Sequence, residues 1–148
     1  MEIALTADII VAGKNASFAL PETSLAIIPG AGGTQRLPRL IGLARAKELI
    51  FTARKINADT AYEYGIVQHL VEAGNAENKS IELALSIAKN GPLAVRASKK
   101  SIMEVSNVDL VTGMQIEKSC YGSIIPTNDR LEGLKAFKEK RKPVYNGN

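Results

Sequence analysis

Two carboxylates are the residues of this 148-residue chain with the clearest capacity for chemistry. Glu2 opens Glu2-Ile3-Ala4-Leu5-Thr6-Ala7-Asp8, and Glu22 follows a proline in Phe18-Ala19-Leu20-Pro21-Glu22-Thr23. Two carboxylates that converge in space can hold one water between them, one acting as base and the other as acid. Spacing alone does not establish convergence, and a glutamate judged by type is a solvated surface residue. A glycine-rich run follows, Ile28-Pro29-Gly30-Ala31-Gly32-Gly33-Thr34-Gln35-Arg36. It lacks the Gly-Lys-Ser/Thr ending of a P-loop, and no G-x-G-x-x-G leads to an acidic ribose-binding residue. The run reads as a close approach of backbone, or as a turn that needs positive φ, with Thr34 capping a helix that carries Gln35 and Arg36. His69 has no acid–base partner near it in sequence and reads as structural. Cys120, the only cysteine, sits among Ile116, Ser119 and Ile124 and reads as a small buried hydrophobe on a helix. A lone cysteine excludes an internal disulfide and fits a reducing compartment. No spacing of His, Cys, Asp and Glu suits a metal site.

The elements that must position these groups change character near residue 30. Asp8 to Ala12 and Ala16 to Ala19 read as two short strands around a Gly13-Lys14-Asn15 turn. Glu2 to Ala7 has helical composition, which puts Glu2 in a first turn, where the positive end of the helix dipole favours its ionised form. Beyond the glycine run the pattern is mostly helical. A helix over Arg45 to Thr52 starts after Gly42, and another starts with Asn57 as its cap and ends before Gly65. Ile66 to Val71 is a short strand or extended link. Helices follow over Ala76 to Lys89, from Pro92 to near Val105, over Asp109 to Tyr121 and over Asn128 to Lys140, with Gly91-Pro92 as the break between the first two.

Composition bounds the class. At 45% hydrophobic and 23% charged residues, the chain has the make-up of one globular piece long enough to bury a core. The apolar stretch Ile3 to Ala12 is broken by Asp8 and lacks a basic leader, so it reads as neither signal peptide nor membrane span. A net charge of +4 favours anionic ligands but falls short of a nucleic-acid footprint. The run Lys138-Glu139-Lys140-Arg141-Lys142 reads as a solvated helix end.

Ordered motifs at matching spacings carry a resemblance. Glu2, Ala4 and Asp8-Ile9 lead into Phe18 and Pro21-Glu22, then into Ile28-Pro29-Gly30 and Gly32-Gly33-Thr34-Gln35-Arg36-Leu37. Asp129-Arg130-Leu131-Glu132-Gly133 and Ala136-Phe137-Lys138-Glu139-Lys140-Arg141-Lys142 continue the match into the C-terminal part of the chain. Together they resemble the enoyl-CoA hydratase (crotonase) family. Val108 to Gly113 and Ile125-Pro126-Thr127 resemble its methylglutaconyl-CoA hydratase subfamily, the AU-rich-RNA-binding homologue.

The resemblance implies an α/β fold: the C-terminal portion of the crotonase spiral over 1–90 and a helical trimerisation region over 91–148. It implies a lyase in which Glu2 and Glu22 bind the water that adds across the Cα=Cβ bond of a short or branched enoyl-CoA. Glu2 would serve as base toward the hydroxyl at Cβ and Glu22 would deliver the proton to Cα. Pro29 and Gly30 would lie beside the acyl thioester. Phe137 would stack near the adenine of CoA bound to a neighbouring subunit, and Lys140 would meet its phosphates. No cofactor is implied beyond the CoA carried by the substrate, and no metal. The partners implied are the acyl-CoA and two or five further copies of the chain, in a trimer or hexamer, with no membrane. The compartment would be the mitochondrial matrix in a eukaryote or the cytoplasm in a bacterium. Against the family pattern the chain reads as a C-terminal fragment, short isoform or truncated gene product, with the oxyanion-hole amides outside it and little activity expected of it alone. Two other readings compete. Isomerases of the family keep the carboxylate at Glu22 and lose the one at Glu2, so the presence of both favours hydration. An RNA-binding module is the third reading, and the scarcity of aromatics in the basic tail argues against it.

Overall fold

Glycines and prolines divide the chain into short segments, and the computed structural model, which describes residues 1–105 and 108–148, follows that punctuation closely. Two compact units are present, Met1–Glu82 and Leu83–Asn148. The boundary falls inside one helix.

The first unit begins with a 3-10 turn at Ala4–Thr6, then β1 (Val11–Gly13) and β2 (Ser17–Phe18). The two strands do not form a hairpin with each other. β1 pairs in parallel with β4 (His69–Val71), Val11 opposite His69 and Gly13 opposite Val71. β2 pairs antiparallel with β3 (Ile56–Asn57). The reason lies in the place already occupied beside β1. Gln68 Oε1 accepts from the Ile10 amide at 2.8 Å, and the amides of Gln68 and His69 donate back to the Ile10 carbonyl. A parallel partner requires a crossover, and three helices supply it.

Those helices are α1 (Gly33–Ile41), α2 (Leu43–Thr52) and α3 (Ala58–Glu63). α1 buries Leu37 and Ile41, one turn apart, and α2 buries Ala46, Leu49 and Ile50 at i, i+3, i+4, so the pair packs face to face. Gly42, at φ 83°, makes the corner between them, a conformation that side chains avoid. Asn57 caps α3 as expected, its Oδ1 accepting from the Thr60 amide at 2.9 Å. Leu20, Ile66 and Val67 complete the core beneath.

α4 (Ala76–Ala88) spans the unit boundary. In the second unit α5 (Pro92–Val105) packs on α6 (Leu110–Ile124), and α7 (Asn128–Lys138) follows. Asp109 caps α6, and the hydrogen bonds it receives from Thr112 and Val111 hold its carboxyl below the usual carboxylate range. Cys120 is buried in α6, as its apolar neighbours predict. The C-terminal tail folds back over α7. Asp129, itself buried, accepts from the Asn146 and Gly147 amides at 2.8 and 2.9 Å. Glu132 accepts from both guanidinium ends of Arg141 and from the Val144 amide. The Asp129 to Gly133 motif thus works as a clasp for the tail. Among the described residues, no helix is long and apolar enough to cross a membrane.

Candidate active site

The carboxylate of Glu2 is fixed by the glycine run. Its Oε1 accepts from the Ala31 amide at 2.9 Å and from the Gly33 amide at 2.7 Å. Two amide hydrogen bonds on one oxygen set the position of the group. The sequence places Glu2 in the first turn of its own helix; the structure corrects this. Only a 3-10 turn forms there, with Thr6 and Ala7 bonding back to Ile3 and Ala4, and the chain becomes extended at Ala7. The dipole that Glu2 meets belongs to α1, whose free N-terminal donors include the Gly33 amide. Thr34 is therefore not the cap. The N-cap position is Gly32, at φ 99°, and a side chain 31 residues away in sequence fills the capping role.

Gly33 explains why the loop is so poor in side chains. A Cβ on Gly33 would stand 2.9 Å from Glu2 Oε1, 2.9 Å from Pro29 Cβ and 3.1 Å from Leu20 Cδ1. Glu2, Pro29 and Leu20 thus converge on one point that only glycine leaves open. Pro29 is fully buried in this arrangement, so its side chain packs under the loop and has no surface to offer a ligand. Gly30 is exposed, with only the Ile28 carbonyl near the place a Cβ would take.

Glu22 opens a second 3-10 turn, Glu22–Leu25, which Thr23 pins to α2 through a 2.6 Å bond from Oγ1 to the Ile50 carbonyl. Its carboxyl oxygen Oε2 is buried and has no hydrogen-bond partner among the described residues. A buried acceptor without a donor is destabilising by about 1–3 kcal/mol, and such groups concentrate where a protein binds or reacts. Glu2 is thus tied to α1 and the turn of Glu22 to α2, two helices packed against each other.

Phe137 and Lys140 lie in the second unit. Phe137 is 87% exposed in the last turn of α7. Lys140 stands just past it at φ 53°, the left-handed place that glycine usually takes, where its amide donates to Phe137 and that of Arg141 to Ala136. Sequence reasoning passed over the Ala31 and Gly33 amides as donors; a carboxylate upstream of a glycine run that starts a helix is the signal that could have found them. Among the described residues, no cluster of His, Cys, Asp and Glu could hold a metal.

Short strands crossed over by helices position the carboxylate on the glycine-run amides, and comparison with solved structures assigns this arrangement to the crotonase-type fold. An enoyl-CoA hydratase from Bacillus anthracis superposes with a TM-score of 0.95 at 58% identity, over 97% of this chain and 56% of that one. A second, from Mycobacterium tuberculosis H37Rv, superposes with a TM-score of 0.95 at 38% identity. The family model described as Enoyl-CoA hydratase/isomerase matches residues 1–148, and the chain belongs to that family. It is 53% identical to the probable enoyl-CoA hydratase 2, mitochondrial, of Arabidopsis thaliana, over all of this chain and 49% of that protein. It is 51% identical to the human mitochondrial methylglutaconyl-CoA hydratase, over 99% of this chain and 44% of that protein. The chain spans about half the length of the curated relatives it matches.

Proposed function

We propose that this chain carries the water-activating side of a hydro-lyase that adds water across the 2,3 double bond of an enoyl-CoA thioester. The observation that carries the reading is the contrast between the two carboxylates. Glu2 receives two amide bonds on Oε1, whereas Glu22 presents a buried oxygen with no donor among the described residues. A water between them satisfies Glu22 and gives Glu2 a proton to accept. Glu2 takes one proton from the water as its oxygen bonds to Cβ, and Glu22 passes a proton to Cα as the enolate collapses. The proton held by Glu2 returns to Glu22, so that the H and OH of one water are added. The enolate oxygen needs its own donors, each worth roughly 3–4 kcal/mol in sites of this kind. Gly30, exposed beside this pair, lets a thioester approach the backbone closely. The presence of Glu2 as well as Glu22 favours hydration over double-bond isomerisation.

The finer reading is a short or branched acyl group such as methylglutaconyl, which the identity to the human enzyme of that name supports. CoA arrives as part of the substrate, and the chemistry calls for no separate cofactor. Exposed Leu110, Met114, Leu131, Leu134 and Phe137 support association with further copies of the chain as a trimer or hexamer, with Phe137 and Lys140 meeting a neighbour's CoA. The mitochondrial names of the plant and human relatives support the matrix for a eukaryotic source, and a Bacillus subtilis relative supports the cytoplasm for a bacterial one. The test is hydration of crotonyl-CoA and methylglutaconyl-CoA by the active protein and by Glu2→Gln and Glu22→Gln. Each substitution should lower turnover by about a hundredfold, the scale of general acid–base loss. Near-normal turnover in either variant refutes the assignment, and isomerisation without hydration replaces it with the isomerase reading.

A further inference from the structure

Arg36 takes an unusual path for a residue on an exposed helix face. It leaves α1 and turns back past the helix N-terminus, where its Nη1 donates to the Ala31 carbonyl at 2.8 Å. On the way it crosses Gly32 so closely that a Cβ there would fall 2.0 Å from Nη1 and 3.0 Å from Cζ. The two peptides that meet at Ala31 are therefore both held: the Ala31–Gly32 peptide by its carbonyl to Arg36, and the Gly30–Ala31 peptide by its N–H to Glu2 Oε1 at 2.9 Å. Two residues on, the Gly33 amide reaches the same oxygen. The bend between these two amides is Gly32, at φ 99°, so the loop is not held by local preference of ordinary residues.

The geometry points to Arg36 as a positioning residue for the reaction: by fixing the Ala31–Gly32 peptide, the link between the two donor peptides, it aims the Ala31 and Gly33 amides at Glu2 and so holds the candidate base in its working position. The role rests on the proposed hydration chemistry for its effect on rate, and on the loop geometry alone for its effect on the amides. A guanidinium suits the task because it reaches a carbonyl from a distance with a planar, oriented donor. Gly32 is tied to the same device, since it supplies both the positive φ and the space for the arginine.

The experiment uses Arg36→Met, which keeps much of the apolar stem and removes the donor, and Arg36→Lys, which keeps a donor and the charge. Two readouts are followed: amide hydrogen exchange at Ala31 and Gly33, and kcat and KM for crotonyl-CoA hydration at low and high salt. In Arg36→Met, exchange at Ala31 and Gly33 should speed up about tenfold while Leu37 to Ile41 stay unchanged. kcat should fall about tenfold with KM within about twofold, as for loss of a group that orients a reacting one. Arg36→Lys should restore most of both. The deficit of Arg36→Met should persist at high salt, since it is a lost bond. If wild type loses its advantage in salt, a long-range charge effect replaces the clamp. Unchanged exchange at Ala31 and Gly33 in Arg36→Met overturns the proposal, as does a uniform rise along α1, which would mark Arg36 as a general stabiliser. Should wild type not hydrate enoyl-CoA, the functional reading falls, and the exchange data still decide the clamp.

Discussion

Replacing Gly33 with alanine adds one methyl group at the point where the candidate site and the core meet. The new Cβ would stand 2.9 Å from Glu2 Oε1, 2.9 Å from Pro29 Cβ and 3.1 Å from Leu20 Cδ1. Ordinary carbon contacts begin some half an ångström further out, about 3.5 Å. Leu20 and Pro29 are fully buried and have nowhere to retreat, so the carboxylate of Glu2 is the partner that yields. Its 2.7 Å bond from the Gly33 amide then stretches or breaks. Overpacking of this kind destabilises by about 2 kcal/mol, which lowers the melting temperature by roughly 4–8 °C in a chain of this size. A base displaced by about half an ångström, with one of its two amide bonds weakened, should lose about tenfold to a hundredfold in kcat. Thermal unfolding by circular dichroism reads the first effect, and loss of enoyl-thioester absorbance on hydration of crotonyl-CoA reads the second. Gly122→Ala is the matched control, because a Cβ at that position in α6 meets nothing within 4 Å. It should stabilise by about 0.5–1 kcal/mol with activity unchanged. A Gly33→Ala protein that melts within a degree of wild type and turns over within twofold would refute the packing argument.

The tail clasp should respond to acid. Arg141, together with the Val144 amide, holds Glu132 down to about 2 from an ordinary 4.5. A carboxyl depressed by folding stabilises above its unfolded value and loses that contribution as pH falls, here between about 4.5 and 2. NMR signals of residues 143–148 should therefore stay put from neutral pH to about 5 and move toward free-chain values below about 4.5, whereas Glu132→Gln should release the tail at neutral pH. A tail that stays docked in Glu132→Gln contradicts the clasp. Lys140→Gly should raise stability by a few tenths to about 1 kcal/mol by relieving its left-handed backbone. The same change should weaken CoA-ester binding in a salt-dependent way, and unchanged affinity at low salt would remove Lys140 from the CoA site. Phe137→Ala should weaken CoA-ester binding about fivefold, the worth of one aromatic contact of roughly 1 kcal/mol, as measured by titration calorimetry. Light scattering at micromolar concentration should report a multiple of three chains, and a clean monomer would refute the assembly.

What the sequence determined by itself is local. Asn57 before Ala58, Asp109 before Leu110 and Pro92 after Gly91 mark helix starts because a cap or a fixed φ acts within one turn of chain. The ordered motifs around Glu2 and Glu22 name the candidate carboxylates, since those residue types sit at spacings shared across a family. Partnership was decided by tertiary structure. Strands of two or three residues carry no readable period, so β1 looked like a hairpin partner of β2 and instead pairs with β4, 58 residues away. Thr34 looked like a cap because serine and threonine usually serve there, but Gly32 turned the backbone so that Glu2 could reach the same donors from 31 residues away. The orphan oxygen of Glu22 and the return path of Arg36 have no sequence signature at all. The first lies in a turn that Thr23 pins to α2 across 27 residues, and the second spans only five residues but needs the space that Gly32 leaves beside α1. Capping and propensity act over a few residues, while the placement of a carboxylate against an amide follows from the packing of the whole core.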